Sequence, residues 1–265
     1  MQKPNFENEI HAALIASGAN AFRAKAISRF VYQCYELLYR AHHELTLPKR
    51  WSQFCRKRGA TTMRKSAESR STHRIAETAI SADLSLEANR LLALTSETTS
   101  AYVLKTAVSS VQADVTSPSD YATGASSKRP DLVFLPAALE TELTFSMEAK
   151  VIRKESHIIS DLLGESGFGC FIRAVDPYES NGVIGLVGYA EPATVNAMSD
   201  KALGAMKNSA QFSQTTEKSF AFAYDSAEND IRLVLSQVDA ASPMVCVAGM
   251  LGLELVTAWP ALSDE

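Results

Sequence analysis

Asp131, Glu148 and Lys150 are the residues of this chain whose types and spacing could do chemistry. They fall in two short apolar runs, "RPDLVF" (129–134) and "TFSMEAKVI" (144–152), with Asp131 seventeen positions before Glu148. Both runs read as strands, and "PAALE" (136–140) between them is short enough for a hairpin-like connection. Counting by two along the second strand puts Glu142, Thr144, Ser146, Glu148 and Lys150 on one face, and Leu143, Phe145, Met147 and Val151 on the other. Glu148 and Lys150 are then about 6.6 Å apart along the backbone, close enough for their heads to converge, and Asp131 at the start of the neighbouring strand could lie beside them. Two carboxylates brought together repel unless one takes a proton or a cation intervenes. Hard oxygen donors select Mg²⁺ or Mn²⁺, which lowers the pKa of a bound water, while an adjacent ammonium orients that water or stabilises charge building on a phosphate. The plain alternative is a strand with one wet face that carries a Glu and a Lys into solvent.

The elements that must position these residues follow from the periodicity. Apolar residues recur at helical spacing from Phe6 to about Leu45, with Gly18 as a break between two helices. The stretch 71–111 again has helical spacing at Ile75, Ile80, Leu84 and Leu91, opening on a Ser/Thr pair suited to N-capping. Residues 118–130 are turn-rich and read as a loop. Beyond it come the two strands, a helix around Ser156 to Leu163, a third strand "GVIGLVGYA", and an Ala-rich helix from Pro192 to about Lys207. A pair of strands turning at "SAEND" follows. "MVCVAGMLGLELV" (Met244 to Val256) is too short to span a bilayer and reads as a buried strand or helix. The expected organisation is α/β: a helical, partly basic N-terminal region over 1–70, and a mixed central sheet flanked by helices over 71–265.

Composition narrows the function. A chain of 265 residues with 46% hydrophobic content can bury a large core. The N-terminal residues lack the pattern of a secretory signal, and Cys34, Cys55, Cys170 and Cys246 form no C-x-x-C pair, which argues against structural zinc and fits reduced thiols in a cytoplasmic protein. The net charge of −4 hides an asymmetry: residues 49–74 hold nine Lys or Arg against Glu68 alone, a local +8 on a body near −12. Such a basic segment suits a polyanion partner or a solvated helix face. Within it Arg56, Lys57 and Arg58 are candidates for nucleic-acid contact, with Trp51 and Phe54 packing inward or stacking on bases. Arg153 and Lys154, just beyond the second strand, are better placed to hold phosphates. His157 could touch phosphate but reads more simply as a surface residue. "GESGFG" (164–169) lacks the Lys-Ser/Thr of a P-loop, and His42 and His43 have no carboxylate or Cys at metal-ligand spacing.

"RPD" followed by "MEAK" resembles the P-D…(D/E)-x-K signature of the PD-(D/E)XK, restriction-endonuclease-like nuclease superfamily. The resemblance covers roughly Ser71 to Ala190 and rests on three side chains; "LLGESGFGCFIRAV" and "GVIGLVGYA" more loosely resemble the helix and last core strand of defence-associated members. It implies a core in the order α-β-β-β-α-β. It implies that Asp131 and Glu148 bind Mg²⁺ or Mn²⁺ with help from the Ala149 carbonyl, and that Lys150 serves the attacking water. Members often add an acid from the first core helix. Glu77 is the choice here and Glu9 the rival. The expected function is a cytoplasmic, metal-dependent deoxyribonuclease acting on DNA in bacterial antiviral defence or restriction, as a homodimer or beside a helicase or sensor subunit. The alternatives are a non-hydrolytic nuclease-fold subunit that binds nucleic acid or scaffolds a larger complex, and a helical interaction protein whose strand pair is only structural.

Overall fold

Strands whose two faces are both apolar must lie between two layers, and the observed architecture follows from that rule. The structure, a computed structural model, describes residues 6–57, 72–94, 108–113, 130–137, 143–173, 177–178, 180–220, 231–239 and 244–258. Its helices are α1 (Phe6–Ala16), α2 (Ala21–Thr46), α3 (Pro48–Lys57), α4 (Glu77–Ala93), α5 (Gly169–Ile172) and α6 (Val195–Asn208), with a π-helical turn at Ile158–Leu162. Its strands are β1 (Thr72–Arg74), β2 (Val108–Ala113), β3 (Leu132–Pro136), β4 (Phe145–Ile152), β5 (Val183–Ala190), β6 (Phe212–Phe220), β7 (Ile231–Val238), β8 (Met244–Gly252) and β9 (Val256–Ala258). The protein is therefore α/β, with N-terminal helices and a seven-stranded mixed sheet in the order β2-β3-β4-β5-β8-β7-β6. β4, β5 and β8 run parallel at its centre, and β2, β3, β7 and β6 pair antiparallel outside them.

Each face of the sheet has its own core. On one, Phe145, Met147, Tyr189 and Val247 pack with Phe6, Tyr35 and Leu38 from α1 and α2 and with Ile80 and Leu84 from α4. On the other, Ile152, Leu186 and Met250 meet Ile158, Phe171, Met198 and Met206. The N-terminal helices thus share a continuous core with the sheet. Gly18, at φ +93°, makes the expected break, and the Asn20 side chain caps α2 by accepting from the backbone of Phe22 and Arg23. α2 then runs alongside β8: the Tyr35 hydroxyl donates to Val247 O at 2.8 Å, and His42 Nε2 lies 2.8 Å from Gly252 O. His42 is thereby accounted for as a structural residue, held neutral by burial that pulls its pKa down to about 4. Because His42 meets the last residue of β8, α2 ends and α3 begins at the carboxyl end of the parallel strands.

Three expectations change. The helix in the 71–111 stretch starts at Glu77, not at the Ser/Thr pair: Ser71 lies outside the described residues, Thr72–Arg74 is strand β1, and the N-cap is Ala76, which makes no side-chain bond. β1 finds its partner in distant β9, so no local pattern announced it. The end of the same stretch, Val108–Ala113, is edge strand β2 rather than helix, because pairing with β3 overrides a weak helical spacing. The strand before "SAEND" begins at Phe212, earlier than its apolar residues indicated. Among the described residues no helix is long and apolar enough to cross a membrane, and all four cysteines are free thiols.

Gly185 illustrates how closely the central strands approach. A Cβ built there would lie 2.4 Å from Met147 Cγ and 2.9 Å from Phe145 Cζ, and both side chains are fully buried. Gly185→Ala is expected to lose about 1–3 kcal/mol through overpacking, read as a lowered midpoint in denaturant unfolding; a midpoint equal to wild type would contradict this packing.

Candidate active site

The site forms where β3 stops covering the edge of β4. Pairing between the two is confined to Leu132↔Met147, Val133↔Ser146 and Phe134↔Phe145. Continued by one residue, the register sets Asp131 opposite Glu148, and residues opposite one another in an antiparallel pair share a face. Pro130 precedes Asp131 and brings no N–H, so the ladder ends there and β4 runs on alone at this edge. That leaves backbone N–H groups of β4 in need of acceptors. Two carboxylates supply them: Asp131 Oδ2 accepts from Ala149 N at 2.8 Å, and Glu77 Oε2 accepts from Val151 N at 2.9 Å.

Lys150 lies among the acids so assembled. Its ammonium donates to Glu148 Oε1 at 2.7 Å, to Glu77 Oε1 at 3.1 Å and to the Ala149 carbonyl at 2.9 Å, and it lies 3.5 Å from Asp131 Oδ2. Glu148 and Lys150 are only 5% and 9% exposed, so the solvent-facing strand is not what this stretch forms. The four residues that sequence reasoning singled out thus converge. The rival acid Glu9 is elsewhere, paired with Lys218 at 3.3 Å.

Burial and like charge set the electrostatics. The Glu148 carboxyl is pushed up to about 8, first by burial and then by Asp131, with Lys150 acting in the opposite sense. Asp131 faces it across the strand pair, and its charge works against ionisation of Glu148. Burial also raises Glu77 against the pull of Lys150. For Lys150 burial favours the neutral amine, but Glu148, Asp131 and Glu77 outweigh it and hold the ammonium charged.

The donor set suits a hard cation by composition: three carboxylates and a backbone carbonyl, with Glu148 Oε2 buried and lacking a hydrogen-bond partner among the described residues. It is not a ready-made cage. Among the described residues no three acid, His or Cys side chains are gathered as metal ligands, and the Lys150 ammonium supplies the compensating charge.

Other groups complete the surroundings. Cys170, which donates to Glu165 O at 3.4 Å, and Tyr178 lie on the α5 side of the sheet; burial raises both, and the Glu148 charge acts in the same sense. No spacing in the sequence links residues 170 and 178 to residue 148, and they were missed. Arg153 and Lys154 are exposed just past the end of β4, and the Arg153 guanidinium also donates to Ile75 O at 3.2 Å. His157 Nδ1 lies 3.4 Å from Val151 O, beside the same strand end. Arg56 is exposed on α3, Lys57 closes that helix, and Arg58 lies outside the described residues. Trp51 and Phe54 pack inward, on each other at 4.9 Å, and are buried rather than offered to bases. Comparison with protein families, curated proteins and solved structures finds no match for this chain.

A raised carboxyl has a definite consequence for stability. The folded protein keeps the Glu148 proton up to about pH 8, whereas the unfolded chain loses it near 4.5, so stability falls as pH rises across that window. The thermal midpoint of metal-free protein is expected to decline from about pH 5 to about pH 8, and Glu148→Gln to make the decline shallower. An identical slope in the variant would place the titration elsewhere.

Proposed function

We propose that this chain is a metal-dependent nuclease of the PD-(D/E)XK type that hydrolyses phosphodiester bonds. The observation that carries the reading is the convergence of Asp131, Glu148, Lys150 and Glu77 at the splayed edge of β4. The chain order α4, β2, β3, β4, helical turn, β5 supports it, being the α-β-β-β-α-β order that the resemblance implies.

In this reading Asp131, Glu148 and the Ala149 carbonyl hold Mg²⁺ or Mn²⁺, which supplies Lewis acidity toward water and a phosphate oxygen. Lys150, kept charged by three acids, orients the attacking water and stabilises charge developing on the phosphate. Glu77 holds the ammonium in line from the α4 side. Arg153 and Lys154 bind phosphates flanking the cut. α3, with Arg56, emerges at the same end of the sheet and would hold more of the backbone, which favours a long polyanion over a small phosphoester. DNA is the substrate proposed, cytoplasmic antiviral defence or restriction the setting, and a homodimer or a helicase or sensor partner the assembly.

One observation favours a second reading. Because Lys150 already pairs with all three acids, part of their repulsion is relieved without a metal, as expected of a nuclease-like subunit that binds nucleic acid without cutting it.

Purified protein is expected to cleave supercoiled or linear DNA with Mg²⁺ or Mn²⁺ and not with EDTA. Glu148→Gln and Lys150→Ala should each lower the rate by about 100-fold or more while DNA affinity is kept. Binding without cleavage by the wild type, in either metal, would move the assignment to the non-hydrolytic subunit.

A further inference from the structure

α4 carries a row of polar residues on the side that meets the sheet. Glu77, Ser81, Ser85 and Asn89 recur every four positions and so lie one above another. Ser81 and Ser85 are buried, and every member of the row has a partner on a strand. Glu77 bonds Lys150 and the Val151 amide of β4. Ser81 Oγ lies 3.0 Å from Tyr189 Oη on β5. Ser85 donates to Val111 O at 2.8 Å, while Asn89 donates to the same carbonyl at 2.6 Å and accepts from Val111 N at 2.9 Å. Serine inside a helix gives up propensity, and a buried hydroxyl is costly unless bonded. The row therefore docks α4 in one register, because a slide or rotation of the helix breaks all of these bonds together.

The first turn of α4 depends on that docking, since Ala76 supplies no side-chain cap. Its position comes from tertiary bonds: Ile75 N to Leu255 O at 3.3 Å, Arg153 to Ile75 O, and Ser81 to Tyr189. Of these three the last alone lies within the helix, one turn from Glu77 and on its face. Tyr189 is fully buried and is the register partner of Val151, the residue whose amide holds Glu77. Burial keeps the phenol protonated, with the charges of Asp131, Glu77 and Glu148 acting in the same sense.

We infer that the Ser81–Tyr189 hydrogen bond sets the place of Glu77 in the acid cluster, making Ser81 and Tyr189 positioning residues for the site. The consequence for catalysis rests on the nuclease reading; the consequence for Glu77 does not. Lys150 and the metal-binding acids are then tuned from beneath the sheet by a hydroxyl pair that touches neither substrate nor cation.

Two readouts test this on the full-length protein. The first is hydrogen exchange of the Val151 amide, followed by NMR. Glu77→Gln is expected to speed exchange about tenfold by weakening the acceptor, and Tyr189→Phe and Ser81→Ala to do the same, with little further change when either is combined with Glu77→Gln. Ser85→Ala is the control, lowering thermal stability without moving this amide. The second is Mn²⁺ titration monitored by electron paramagnetic resonance, in which Tyr189→Phe and Ser81→Ala should weaken binding by the same factor as Glu77→Gln. Val151 exchange at the wild-type rate in Tyr189→Phe, or acceleration that adds fully to that of Glu77→Gln, would overturn the inference. Accelerated exchange in the variants, with no Mn²⁺ binding by the wild type, would uphold the positioning role and count against the nuclease reading instead.

Discussion

The site depends on one electrostatic arrangement, an ammonium held among three carboxylates at the edge of a buried strand. Lys150 makes its closest contact with Glu148, two residues back on the same face, and reaches Glu77 and Asp131 from there. Without it the acids would repel one another in a poorly hydrated place; with it Glu148 still carries a raised carboxyl. Removing one partner of such a buried cluster leaves an uncompensated charge, so the four residues stand or fall together. A divalent cation would relieve the same repulsion, and the proposed nuclease reading rests on that equivalence.

The surrounding fold can be understood as what it takes to open that edge. β3 must stop at Leu132 so that β4 has free amides for Asp131 and Glu77 to accept from. α4 must begin at the right height over β4, and this is arranged over long range: β1 pairs with β9 and Ile75 bonds Leu255, so the segment after β8 holds the start of the helix. β4 is anchored on its other edge by six registered pairs with β5. One edge is rigid and the other available, which suits a site that must present several charged groups to one point.

The sequence was most informative where a local period had a physical cause. β3, β4 and β5 could be read because their apolar runs are short and β-rich, while the run that forms β8 was left open between strand and helix; the face shared by Glu148 and Lys150 follows from the pleat alone. Asp131 was placed beside them by assuming adjacent antiparallel strands, and the register agrees. Glu77 was chosen for opening an amphipathic helix; its place beside Lys150 follows instead from how α4 docks on the sheet. What could not be read depended on partners far along the chain: Thr72–Arg74 is a strand only through Val256–Ala258, and Tyr189 meets Ser81 only once α4 lies on the sheet. The four-residue recurrence of Glu77, Ser81, Ser85 and Asn89 was present in the sequence, but Ile80, Leu84 and Leu91 drew attention to the apolar side. The basic stretch was legible as charge; its start at the carboxyl end of the parallel strands was not, since it follows from α2 running along β8 to Gly252.

The most direct test of the central claim is anomalous scattering from crystals of the protein grown with Mn²⁺. The account predicts a Mn²⁺ peak in contact with the carboxylates of Asp131 and Glu148, absent from crystals of Glu148→Gln. Saturating Mn²⁺ with no peak there, and Lys150 still bonded to all three acids, would contradict it and leave the cluster a structural ion network.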